Sequence, residues 1–270
     1  MTRAQCVRRT MAHDRIQAVL FDLGDTLLNF GRVNTTKAFL AGARLSHAFL
    51  KAHHQPAAWF PWYFARNLIR LRIKYLLSDL THRDFNSLEV LQAVGARQGV
   101  VLTPDQWDEF AWLWYEPLSR CAQIEPDLRQ TLTLLRNRGL KLAIVSNTFV
   151  SRASLERHLD QLGLLEFFPV QLYSYEYHFR KPSTELLRIA RDKVGAGPAA
   201  SVFVGDRIDN DIMPALASGM HAVLKDAYTN AGKPTPQGAL RIHRLSELPA
   251  LIERLDGTTR PAQIESEKSD

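Results

Sequence analysis

From residue 126 onward the chain alternates in a way that leaves few folds open. Amphipathic stretches at 126–138, 151–162, 183–194 and 209–218 are followed by short apolar runs at 141–145, 169–173, 201–204 and 220–224. Gly139, Gly163 and Gly219 close three of those helices. Short apolar runs separated by 10–15 residues of helix predict βαβ units, and so a parallel sheet with helices on its faces. Far upstream, residues 16–21 are apolar apart from Gln17, and Gly24 ends the run. This is a further buried strand. It delivers Asp22 to its C-terminal tip, where open α/β sheets place their chemistry.

Helix fills the sequence between these two parts. Helical patterns are predicted at 37–52, 64–77, 85–98 and 104–120, the last with Thr103 as its cap and Pro104 in its first turn. Residues 55–63 before the second helix are dense in aromatics (Trp59, Phe60, Trp62, Tyr63) and broken by Pro56 and Pro61. Arg66, Arg70 and Lys74, four residues apart, form one basic stripe. The predicted fold class is α/β, a Rossmann-like doubly wound parallel sheet with an inserted α-helical cap. Residues 16–30 and 121–255 form the core, with a closing helix at 245–255. Residues 31–120 form the cap, 1–15 a loose N-terminal arm and 256–270 a disordered tail.

Composition narrows the function classes. The 270 residues are 46% hydrophobic and 23% charged, ordinary for a soluble chain with a substantial core. The formal charge of +6 suits an anionic small molecule. No helix-turn-helix or aromatic-interleaved basic motif favours nucleic acid. Cys6 and Cys121 form no CxxC, so neither a disulfide framework nor a zinc site is implied, and a reducing, cytoplasmic compartment is expected. The nine histidines form no chelating group; His53 and His54 are adjacent, and helical neighbours point apart. No apolar run is long enough to span a membrane, and residues 1–15, with Arg3, Arg8, Arg9 and Arg15, lack the apolar core of a signal peptide. Weak contact of residues 59–77 with an anionic membrane surface is the one lipid interaction the pattern allows.

Three further motifs follow the strands. Val145-Ser146-Asn147 ends the second strand, where a hydroxyl and backbone N–H groups can hold an anionic oxygen. Arg180-Lys181-Pro182 follows the third, and Pro182 is read as opening a helix, with Lys181 at a fixed corner. Gly205-Asp206-Arg207-Ile208-Asp209-Asn210-Asp211 follows the fourth. Gly205 permits a sharp turn, Asp209 or Asn210 can cap the helix, and three carboxylates so close repel one another unless a cation is present.

Each motif is common alone. In this order, at successive strand tips, they resemble the haloacid dehalogenase superfamily, specifically its phosphohydrolases. The resemblance covers residues 16–30 and 126–226, and members with a helical cap carry it where residues 31–125 lie. It implies that Asp22 is a nucleophile forming an aspartyl-phosphate. It makes Ser146, Asn147 and Lys181 the phosphate-binding groups, and assigns Mg²⁺ to Asp22, the Gly24 backbone carbonyl, Asp206 and Asp211. The implied partner is a small phosphorylated metabolite selected by the cap.

One position departs from the pattern. Family phosphatases carry an acid–base aspartate two residues after the nucleophile; here that residue is Gly24, and an aspartate follows one place later, at Asp25. A one-residue shift re-aims a side chain, so Asp25 does not inherit the role by position. The expectation is a phosphatase that favours good leaving groups, or one that borrows an acid from the cap or from Asp25. The alternatives are a non-catalytic binding or regulatory protein of this fold, and a metal-independent 2-haloacid dehalogenase. The acidic cluster at 206–211 argues against the dehalogenase.

Overall fold

The computed structural model describes residues 15–81, 83–177 and 179–257, without the side chains of residues 79 and 80. Most of the expected arm and tail therefore lies outside the described residues. The two described ends meet: the backbone N–H of Ile16 donates to Asp256 Oδ1 at 2.8 Å, and Asp256 belongs to the last helix rather than to a tail.

Among the described residues six strands form one sheet: β1 (Ala18–Phe21), β2 (Lys141–Ser146), β3 (Val170–Tyr173), β4 (Ser201–Gly205), β5 (His221–Lys225) and β6 (Leu240–Ile242). All pairings are parallel, in the order β3-β2-β1-β4-β5-β6. β6 has no counterpart in the sequence reading, because three residues behind a proline-rich loop carry too little periodicity. Alternation along β1 sends Val19 and Phe21 to one face and Ala18 and Leu20 to the other. The first face is covered by α5 (Leu128–Asn137), α6 (Arg152–Gln161) and α9 (Leu248–Gly257). The second is covered by α7 (Thr184–Val194) and the short α8 (Met213–Ala217). The chain turns outward in both directions from β1, which creates the crevice between β1 and β4.

Four helices are inserted between β1 and β2: α1 (Thr35–Ala52), α2 (Phe60–Thr81), α3 (Ser87–Ala96) and α4 (Pro104–Ser119). They share an apolar centre that includes Leu50, Tyr63, Leu91 and Phe110. α2 starts four residues before the predicted boundary, because Pro61 falls in its first turn, where a missing N–H costs nothing. The aromatic cluster consequently splits: Tyr63 is buried, while Trp59 and Trp62 are 78% and 60% exposed. Nor is the basic stripe uniformly solvated, since Arg66 is half-buried and donates to Gln98. No described helix is long and apolar enough to cross a membrane.

α4 belongs to both bodies. Phe110 and Trp114 pack in the insertion, Trp112 and Tyr115 in the sheet-bound core. Tyr115 Oη meets His158 Nδ1 of α6 at 3.0 Å, and the Arg157 guanidinium lies 4.4 Å from the centre of the Trp112 ring. α1 presses on α4 closely enough that a Cβ at Gly42 would come within 2.6 Å of the Trp114 carbonyl oxygen. Gly42→Ala is expected to push the two helices apart and destabilise the protein by about 1–3 kcal/mol in urea unfolding. A neutral result would mean that α1 does not pack this tightly.

Candidate active site

Hydrogen-bond register brings the strand tips level. Phe21 pairs with Ile144 on one side and Val204 on the other, and the Asp22 N–H donates to Val204 O at 2.9 Å. Asp22 therefore stands at the mouth of the β1–β4 crevice, and Ser146 is buried at the end of β2 beside it. Asp206 follows β4 directly.

The centre is a buried charge cluster. Lys181, 2% exposed, donates from Nζ to Asp22 Oδ1 at 2.6 Å and to Asp211 Oδ1 at 2.7 Å. Carboxylate oxygens of Asp22, Asp206 and Asp211 lie within 4.8 Å of one another. Three carboxylates against one ammonium leave a net negative site, lined by hard oxygen donors that suit Mg²⁺ better than a soft metal. The predicted ligand residues Asp22, Asp206 and Asp211 are thus together.

Asp211 arrives by an unexpected route. The predicted helix at 209–218 opens as a π-helical turn, Ile208–Ile212, before α8. In that turn Asp211 Oδ2 accepts the Arg207 N–H at 2.9 Å. The chain bends directly after Gly205, as predicted, and the glycine also gives room to a neighbour: a Cβ there would run into the Asp211 carboxylate.

Two predicted site residues are placed differently from expectation. Asn147 uses both ends of its amide on the backbone of Lys181, donating from Nδ2 to the carbonyl at 2.7 Å and accepting the N–H at 2.9 Å. It positions the lysine and keeps one Nδ2 hydrogen free. Asp25 sits at φ 56°, and its Oδ1 accepts the N–H groups of Phe30 and Gly31, both at 3.0 Å. That carboxylate holds the loop closed, and its charge, after burial, raises the Tyr228 phenol. Pro182 does not open α7 either; Ser183 caps that helix, and Thr184 is its first residue.

Several contributors carry no sequence signal. Thr26 donates to Asp206 Oδ1 at 3.3 Å, Thr229 to Asp206 Oδ2, and Asn230 Nδ2 to the Asp206 carbonyl at 2.7 Å. Arg180 reaches into the insertion, pairing with Asp84 at 3.1 Å and donating to Ser78 at 3.0 Å, while Ser174 donates to the same Asp84. A threonine or aspartate in a loop far along the chain looks ordinary until the fold brings it close.

The family model for haloacid dehalogenase-like hydrolases matches residues 16–219. The chain belongs to that family. Haloacid dehalogenase-like hydrolase domain-containing protein 3 of Bos taurus is 29% identical over 91% of this chain and 96% of its own length. Ribulose-1,5-bisphosphate 5-phosphatase of Halopiger xanaduensis is 28% identical over 77% of this chain and 84% of its own. Among solved structures, a phosphatase of the family from Thermococcus onnurineus overlays with a TM-score of 0.56 at 23% identity, covering 88% of this chain and 98% of that one. This last likeness speaks to the fold alone.

Burial sets the electrostatics of this family member. It pushes the Asp22 carboxyl up to about 7, with Lys181 pulling it back and the charges of Asp211 and Asp206 adding to the rise. Asp206 is pushed to about 6, again by burial; the Thr229 hydroxyl opposes the shift, and Asp211 and Asp25 reinforce it. Burial alone would depress the Lys181 ammonium, but the Asp211 and Asp22 charges hold it above its usual value. Protons and a divalent cation compete for the same oxygens, so a raised carboxyl must release its proton when a cation binds. Mg²⁺ affinity measured by calorimetry is expected to fall roughly tenfold in all as pH drops from about 7 to 6, about fivefold through Asp22 and about twofold through Asp206. A flat profile would mean that the carboxyls stay ionised throughout. Gly205→Ala is expected to displace Asp211 and lower Mg²⁺ affinity roughly tenfold or more at constant pH.

Proposed function

We propose that this hydrolase is a Mg²⁺-dependent phosphatase that cleaves small phosphate monoesters through an aspartyl-phosphate on Asp22. One observation carries the reading: a buried carboxylate at a strand tip is gripped at 2.6 Å by a buried lysine, with two further carboxylates adjoining. Relatives named as phosphatases support it. So does charge complementarity, since a phosphate dianion repels a carboxylate nucleophile and the site must supply compensating positive charge.

Each group then has a task. Asp22 attacks phosphorus in line with the departing oxygen. Lys181, pinned by Asn147, holds the nucleophile's orientation and faces the phosphoryl oxygens with its ammonium. Ser146 offers a hydroxyl to the same oxygens. Mg²⁺ held by Asp22, Asp206, Asp211 and the Gly24 carbonyl would neutralise phosphoryl charge. Water later attacks phosphorus, its proton leaves with the inorganic phosphate, and Asp22 is regenerated. What these residues lack is the family's usual proton donor for the leaving group, because residue 24 has no side chain and Asp25 Oδ1 is tied to its own loop.

That gap also motivates a second reading, a binding protein that kept the fold without turnover. A panel of phosphorylated metabolites assayed with and without Mg²⁺ separates the two, with Asp22→Asn as the blank. Metal-dependent phosphate release that vanishes in Asp22→Asn is the expected result; wild type and blank behaving alike would overturn the phosphatase reading. The gap can also be filled. A Cβ at Gly24 meets nothing within 4 Å, and the backbone there is not left-handed. Gly24→Asp is expected to raise kcat on alkyl phosphates by about 10²-fold, at the low end of general-acid effects, and to change aryl phosphates little. No gain on alkyl phosphates would mean that another acid already serves.

A further inference from the structure

The insertion lines a half-open cavity of about 520 Å³. All four of its helices contribute, and Phe149 and Val150 line it from the core. These two residues follow Ser146 and Asn147 by only a few positions on the loop that leaves β2. Thr35, which also lines the cavity, follows the loop that Asp25 ties down after β1. The two segments that depart from the site thus become walls of this chamber.

Its lining is carbon-rich and ring-rich: Phe39, Leu91, Trp114, Tyr115 and Phe149 all face it. Among the described lining residues Arg72 alone carries charge; it is exposed and donates to Thr36. An engineered apolar cavity of roughly 150 Å³ accepts benzene, so this one has room for fused rings. Sugar or polyol leaving groups would leave hydroxyls unpartnered against such walls.

Resting on the phosphatase reading above, we propose that the leaving group is aromatic and uncharged: the substrate class is aryl phosphate monoesters, with the ring system seated in this cavity. The missing proton donor points the same way, independently of the cavity. A phenol ionises near pH 10, against about 16 for water, so a phenolate departs without general-acid help where an alkoxide does not. In the step, an Asp22 oxygen bonds to phosphorus, the bond from phosphorus to the aryl oxygen breaks, and the electron pair leaves as phenolate, which takes its proton from solvent. Water then cleaves the aspartyl-phosphate and yields inorganic phosphate.

The test compares kcat/KM on 2-naphthyl phosphate, glycerol 3-phosphate and acetyl phosphate for wild type, Ala38→Trp and Leu68→Trp, two variants that fill the cavity from different helices. Wild type is expected to favour naphthyl over glycerol phosphate by at least about 10²-fold. In each variant that retains the wild-type melting temperature, the ratio of naphthyl to acetyl phosphate is expected to fall at least tenfold. An unchanged ratio in a folded variant, or a preference for glycerol phosphate, overturns the assignment. If wild type turns over none of the three, the phosphatase reading fails, and fluorescence titration with 2-naphthol judges the cavity by itself. Binding lost in the filled variants supports the aromatic pocket, and equal or absent binding rejects it.

Discussion

One ammonium group sits where the rest of the structure meets. Lys181 Nζ lies 2.6 Å from Asp22 and 2.7 Å from Asp211, and all three are almost fully removed from water. Breaking such a pair by removing one partner strands a buried charge, at a cost of about 3–5 kcal/mol. That penalty explains why so much of the surrounding fold is committed to the lysine. Asn147 fixes its backbone from β2, and Gly205 gives Asp211 room to approach from β4. Arg180, next in sequence, is anchored in the insertion by Asp84. The arrangement is a charge balance set in low dielectric, and it is also what makes Asp22 and Asp206 hard to ionise until further positive charge arrives.

Much of this was legible in the chain itself. Strand and helix alternation after residue 126 foretold a parallel sheet, and residues 22, 146, 181, 206 and 211 were singled out because the order of their motifs along the strands resembles that of the haloacid dehalogenase superfamily. Such runs are buried on both faces, so their composition is forced, and their ends are sharp. What stayed hidden was the work of side chains on backbone. Nothing in a Ser-Asn pair says whether the asparagine meets a ligand or a lysine's peptide group; that depends on where residue 181 arrives. Asp25 likewise reads as a free carboxylate until its loop closes and two N–H groups claim it. The π-helical turn at 208–212 escaped because its residues keep helical spacing, and only the extra residue per turn brings Asp211 inward.

Packing joins the insertion to the sheet. α4 has two apolar faces in different cores, and its edges carry a phenol–imidazole bond and a guanidinium over an indole. Burial pushes His158, the partner in that bond, down to about 4, so the contact is made with a neutral ring at ordinary pH. The second tie, Arg180 to Asp84, joins α2's end to the loop that carries the lysine.

This double membership of α4 constrains how molecules get in and out. Lifting the four helices as a rigid lid would tear Trp112 and Tyr115 out of the sheet-bound core and wet both. With α1 clamped against α4 at Gly42, the nearest helix cannot peel away alone.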